Sequence, residues 1–178
     1  AVINIAPMAE NIMRDGVSIV DTCKELEQRG ADVVGMNCFR GPATMLPYLK
    51  EIRKAISCHM AALPLPFRTT EENPTFFNLP DNNGCTCQAP HGRTFPTALD
   101  PLYCNRYEMR AFFEEVNRIG IKLLGVCCGA TPMHQREVAE AVGRTVPASK
   151  YREKMANHFM YGTNERTAKH MQEYGDKA

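Results

Sequence analysis

An α/β fold with a parallel sheet is predicted by three features of this sequence: apolar strand-like runs, helical periodicities between them, and a repeat length that suits a strand–helix–strand crossover. The runs begin at residues 1, 31, 58 and 121, so the first two separations are 30 and 27 residues. Both are close to the roughly 30-residue βαβ unit. The third separation, 63 residues, carries about 33 more than such a unit needs.

Each element has its own warrant. Ala1 to Met8 is rich in Val and Ile and reads as the first strand. After a turn at Gly16, Ser18 to Arg29 places Val20, Cys23 and Leu26 at helical spacing, and Gly30 stops the helix. Ala31 to Cys38 is the second strand, followed by a helix from Pro42 to Ile56. The third strand runs from Cys58 to Leu65, where Pro64 and Pro66 end it. The fourth, Ile121 to Cys127, lies between helices at Glu108 to Ile119 and Pro132 to Val142. Gly120 and Gly143 sit just past helix ends, as C′ glycines do. Arg68 to Tyr107 is rich in Pro, Asn, Gly and Thr, too long for an ordinary βα loop, and is expected to cover an active site or serve assembly. Thr145 to Ala178 is polar and predicts one or two helices. The expected division is a domain over residues 1–144 and a helical extension over 145–178 acting as an oligomerisation arm.

Four βα units make either an open doubly wound sheet or half of a (β/α)8 barrel, since a whole barrel needs at least about 200 residues. No Gly-x-Gly-x-x-Gly follows the first strand, which argues against a dinucleotide fold. With 21 Lys+Arg against 20 Asp+Glu, the net charge of +1 gives no bulk attraction to nucleic acid. No apolar run is long enough for a membrane span. The opening residues have neither Met nor a basic, cleavable leader, so no secretory signal is expected and Ala1 is read as an interior point of a longer chain. Eight cysteines, irregularly spaced, suit reduced thiols in a cytoplasmic protein better than a disulfide scaffold.

The chemistry concentrates at two strand ends. Gly35-Met36-Asn37-Cys38 closes the second strand and Gly125-Val126-Cys127-Cys128-Gly129 closes the fourth, the end at which parallel sheets place their sites. Adjacent strand residues face opposite ways, so Cys127 and Cys128 share one ion only if the chain turns there, which Gly129 permits. Three thiolates with an open fourth position form a pattern suited to catalytic zinc. Read from the residues alone, the same cysteines also suit inert packing on apolar strands. Cys85-x-Cys87 is a weaker metal pattern, while Cys23, Cys58 and Cys104 read as packing residues. His59 is expected in the core or at its rim, and His91, His134, His158 and His170 at surfaces or interfaces.

These motifs resemble the Gly-x-Asn-Cys and Gly-Gly-Cys-Cys-Gly zinc motifs of homocysteine S-methyltransferases, and within that family the chain is most similar to the betaine-using enzymes. The likeness extends through Gly16-Val17, Gly30 to Val34, Leu63-Pro64-Leu65, Phe95-Pro96, Leu99-Asp100-Pro101, Ile119-Gly120 and Val146 to Ser149. Val126 replaces a usual Gly, Phe39 and Arg40 depart from the common residues after Asn37-Cys38, and the segment around Cys85 and Cys87 is particular to this chain.

The resemblance implies a (β/α)8 barrel of which this chain covers strands 5 to 8. It implies Zn²⁺ held by Cys38, Cys127 and Cys128, with Asn37 hydrogen-bonding a sulfur or the substrate. The implied reaction is methyl transfer from betaine to the thiol of homocysteine, giving methionine and dimethylglycine. The other half of such a barrel supplies the acidic clamp for the amino acid and the aromatic box for the quaternary ammonium, so a homo-oligomer or an amino-terminal half is the expected partner. A sulfonium, corrinoid or folate donor, and an inactive zinc-binding or assembly fragment, are the alternative readings. A metal-free cysteine nucleophile needs a positioned base that the sequence does not offer.

Overall fold

A computed structural model of the chain describes residues 1–8, 10–81, 92–152, 154–163 and 169–175. It divides into two units, Ala1–Arg144 and Thr145–Ala178.

The first unit holds four strands, β1 (Val2–Ile5), β2 (Val33–Asn37), β3 (His59–Leu63) and β4 (Leu123–Leu124), all parallel and in the order β1-β2-β3-β4. A doubly wound sheet reverses direction at its switch point. The unbroken sequential order here is instead consistent with part of a (β/α)8 barrel. Helices α1 (Ile19–Gln28), α2 (Pro42–Ala55), α3 (Arg106–Arg118) and α4 (Pro132–Ala141) alternate with the strands.

Local chemistry sets the boundaries. The Ser18 hydroxyl accepts from the Asp21 amide at 3.1 Å and opens α1. Asn105 and Glu108 close a capping box on α3, and Arg68 reaches both Glu108 oxygens at 2.7 Å. β1 is shorter than the predicted strand because Pro7 cannot donate to a ladder. β4 is only two residues long because its partner stops: β3 runs into Pro64, which lacks an amide hydrogen. Single bonds still continue the pairing, from Gly125 N to Ala62 O at 3.2 Å and from Cys127 N to Pro64 O at 3.0 Å.

Two apolar cores result among the described residues. The larger packs helices against the sheet through Val34, Met36, Leu49, Ile52, Met60, Phe113 and their neighbours. The smaller gathers Leu65, Phe67, Phe76 and Leu79 from the long β3–α3 connection, with Phe39, Phe95 and Tyr103 against them. The sequence-predicted cover therefore has a hydrophobic centre of its own. Between α3 and α4, Arg110 bonds Glu137 and Glu140 at 3.0 Å each, which compensates the buried Glu137 carboxylate.

The second unit was expected to form one or two helices. Among the described residues it holds one, the seven-residue α5 (Lys169–Gly175), after two 3₁₀ turns, Pro147–Tyr151 and Met155–Asn157. Tyr151, Phe159, Tyr161 and Tyr174 are exposed on it. No helix among the described residues is long and apolar enough to cross a membrane.

Gly35 explains how closely β2 and β3 approach: a Cβ there would lie 2.1 Å from the Ala61 carbonyl oxygen. Gly35→Ala is expected to cost about 1–3 kcal/mol, the usual penalty of overpacking. Urea unfolding measures it, and an unchanged midpoint would contradict the packing described.

Candidate metal centre

The site begins where β3 ends, at the successive carbonyls of Leu63 and Pro64, which serve different neighbours. Leu63 O accepts from Cys38 N at 3.0 Å on one side, and Pro64 O accepts from Cys127 N on the other at the same distance. Consecutive strand carbonyls point to opposite edges. One strand end thus sets two cysteines from distant parts of the chain at one level.

Beyond those bonds both chains leave strand geometry. Cys38 and Phe39 have φ of +66° and +62°, the left-handed region that is costly for side chains other than Gly. Hydrogen bonds hold the strained pair, from Arg40 N to Cys38 O at 2.7 Å, Leu65 N to Arg40 O at 3.0 Å and Phe76 N to Phe39 O at 3.0 Å. The Arg40 side chain, 1% exposed, adds bonds to Met8 O at 2.7 Å and Asn11 Oδ1 at 2.6 Å and lies over the Tyr48 ring. On the other side, Ala130 N donates to Cys127 O at 3.1 Å, and Gly129 has φ of +85°. These are the marks of a type II turn with Gly in its third place. The turn brings Cys128 round to the face that Cys127 occupies.

The three sulfurs converge. Cys38 Sγ is 3.8 Å from Cys128 Sγ, Cys127 Sγ is 3.7 Å from Cys128 Sγ, and all three lie within 4.8 Å of one another. Thiolates about 2.3 Å from a tetrahedral zinc are about 3.8 Å apart. The spacing therefore fits zinc without rearrangement of two of the three edges. Burial pushes the Cys38 thiol up to about 12, with the neighbouring Cys127 adding to the effect. Burial raises Cys127 as well. Both shifts favour the protonated thiols, and a cation bound between them would have to displace those protons.

The sequence brought these three cysteines together, and the structure places them together. Asn37 ends β2 opposite Leu63, half-buried, and its amide makes no hydrogen bond to the sulfurs among the described residues. Cys85, Cys87 and His91 lie outside the described residues. Cys23 and Cys104 are buried packing residues and Cys58 is half-buried. Two histidine expectations are corrected. His59 is exposed because it opens β3 at the far end from the thiols. His134, expected at a surface, is 1% exposed. Its Nδ1 accepts from Thr131 N at 3.0 Å as part of the α4 cap, and its Nε2 lies 3.2 Å from Cys104 O. Its place three residues after Thr131, at the capping position, was the available signal. Arg40 and Tyr103 gave no periodic signal at all.

A Cβ on Gly129 would lie 2.7 Å from Phe67 Cζ, on a backbone that disfavours side chains. Gly129→Ala is expected to remove the thiolate-to-metal charge-transfer band seen on adding Co²⁺, with the far-ultraviolet dichroism unchanged. A full-strength band in this variant would contradict the turn's role.

A family model described as homocysteine S-methyltransferase matches residues 2–142. Betaine–homocysteine S-methyltransferase 1 of Danio rerio is 34% identical over 129 residues, 70% of this chain and 30% of that protein. The protein of the same name from Xenopus tropicalis is 28% identical over 132 residues, 71% of this chain and 30% of its own length. S-methylmethionine–homocysteine S-methyltransferase BHMT2 of Mus musculus is 29% identical over 122 residues, 65% of this chain and 30% of its own. The chain thus spans about 30% of the length of these curated relatives. With the match running over residues 2–142, this chain belongs to the homocysteine S-methyltransferase family.

Proposed function

We propose that this chain is the zinc-bearing part of an enzyme that moves a methyl group from betaine to the thiol of homocysteine, giving methionine and dimethylglycine. The observation that carries the reading is the sulfur triangle, whose 3.7 and 3.8 Å edges suit a tetrahedral ion. Cys38, Cys127 and Cys128 would hold the zinc, leaving a fourth position for substrate. Zinc held there would lower the pKa of a substrate thiol while keeping its sulfur nucleophilic.

The protein's own groups prepare the transfer. The β3 carbonyls fix the sulfurs of Cys38 and Cys127, and the Phe67, Phe76 and Phe95 cluster packs against them and excludes water from that side. Cys128 is exposed, so the substrate has a way in. The Asn37 amide, at the end of β2, is available to a bound substrate. In the transfer itself a carbon–sulfur bond forms as the donor's carbon–nitrogen bond breaks, and the electron pair stays on nitrogen. The net charge of +1 gives no bulk attraction to nucleic acid, and in this reading the substrates are small molecules. Six free cysteines among the described residues suit a reducing, cytoplasmic setting.

In this reading β1 to β4 are strands five to eight of the barrel. Val2, Ile3 and Leu123 are exposed on the two outer strands, where four further βα units would pair. The unit from Thr145 on, with its exposed aromatics, serves as an oligomerisation arm. One observation favours a second donor: the mouse relative is named for S-methylmethionine, a sulfonium, so that class belongs beside betaine in any assay. An inactive zinc-binding or assembly fragment is the reading to which a failed assay would point.

Metal content and turnover test this reading. The chain should bind about one zinc, and Cys38→Ala, Cys127→Ala or Cys128→Ala should each abolish tight binding, since methyl groups do not ligate. Full zinc occupancy in Cys128→Ala, by elemental analysis, would refute the ligand set. Positioning supplies roughly 7 to 11 kcal/mol of such a barrier, so the chain alone should form little methionine from homocysteine and betaine. Addition of an amino-terminal half barrel from a relative should restore turnover, and Cys127→Ala should prevent it. Failure with both betaine and S-methylmethionine would favour the inactive reading.

A further inference from the structure

Cys128 differs from the other two cysteines in having no strand to hold it. Among the described residues, the backbone of its turn is tied to the chain just past β3 by the bond from Cys127 N to Pro64 O. The contact that fixes the far side of this turn comes from Tyr103, just after the Asp100–Leu102 turn in the β3–α3 connection: the Tyr103 hydroxyl donates to Gly129 O at 2.8 Å. The Tyr103 ring is itself held from two directions. It stacks on His134, with centroids 5.7 Å apart and planes 15° apart, and packs on Phe67 at 4.9 Å. His134 in turn is fixed by Thr131 N and the Cys104 carbonyl. The chain of contacts closes on itself, from Gly129 through Tyr103 and His134 to Thr131, two residues beyond Gly129.

We propose that Tyr103 is the positioning residue of the thiol centre: its hydroxyl sets the Cys127–Gly129 turn, and through the turn the direction of the Cys128 sulfur. The inference rests on the zinc reading above for its consequence but not for its geometry. A cavity of about 230 Å³ lies against Tyr103, Cys128, Gly129, Phe67 and Asp100. Without the hydroxyl anchor the turn has room to relax, and Cys128 loses its 3.7 Å relation to Cys127. Tyr103 neither ligates nor meets the reacting atoms. Its effect is on how long three sulfurs remain aimed at one point.

The test is Tyr103→Phe in the 178-residue chain, which deletes the hydroxyl and keeps the stacked ring. Two readouts separate the clamp from the metal. In metal-free protein, exchange of the Ala130 amide, whose bond to Cys127 O closes the turn, should rise about fivefold, with α3 and α4 amides unchanged. In zinc-loaded protein, release of zinc to a chelator should quicken about tenfold, and the Co²⁺ form should show an altered ligand-field spectrum. A tyrosine that serves only packing predicts neither change. Ala130 exchange and zinc release both within twofold of the unsubstituted chain would overturn the proposal. If the unsubstituted chain takes up no zinc or cobalt, the metal reading fails, and the Ala130 exchange by itself upholds or overturns the clamp.

Discussion

Two adjacent carbonyls where β3 ends govern where the cysteines of the candidate metal centre sit. Leu63 O takes the Cys38 amide and Pro64 O takes the Cys127 amide. Because successive carbonyls leave a strand on opposite edges, the same short segment registers β2 on one side and β4 on the other. A one-residue slip of either neighbour would turn its cysteine to the other face and destroy the sulfur triangle. The tight approach of Gly35 to Ala61 guards one of these registers by admitting β2 only at short range.

The register alone would not make a site, because the sulfurs are carried by backbone that has already departed from the strands. On the β2 side the departure is strained, with two successive non-glycine residues left-handed. The strain persists because Arg40, Leu65 and Phe76 bond the same few atoms from three directions. On the β4 side the departure is relaxed, since glycine occupies the left-handed place. The small aromatic core joins the two. Phe39 from one turn and Tyr103 beside the other pack on the same group of phenylalanines. The long β3–α3 connection is thus the mortar between two strand ends, where its length and composition alone pointed to a cover or an assembly element.

What the sequence made legible was what depends on periodicity and spacing. The helices appeared within about two residues of their places, and Ser18, Gly120 and Gly143 marked their ends through local capping chemistry. The three cysteines were legible because glycine-flanked thiols at two strand ends form a pattern. The length of β4 was not, because it is set by where β3 stops and not by its own residues. His134 and His59 were misplaced for a related reason. One is buried by a ring stack with a residue 31 positions earlier, and the other is exposed by its place at the start of a strand. Arg40 makes its bonds at a separation of 29 to 32 residues, which no local reading reaches.

The distance in sequence between the sulfurs has a consequence for how the chain holds together. Cys38 and Cys128 are 90 residues apart, so an ion shared between them closes a long loop that the unfolded chain leaves open. In chain-entropy terms a covalent link over such a span is worth about 4.6 kcal/mol. A bound metal would act in the same manner as a removable cross-link, joining the second strand to the fourth over the top of the third. Loss of the ion would then loosen the sheet at its functional end first, while the helix-packed core below kept its own cohesion.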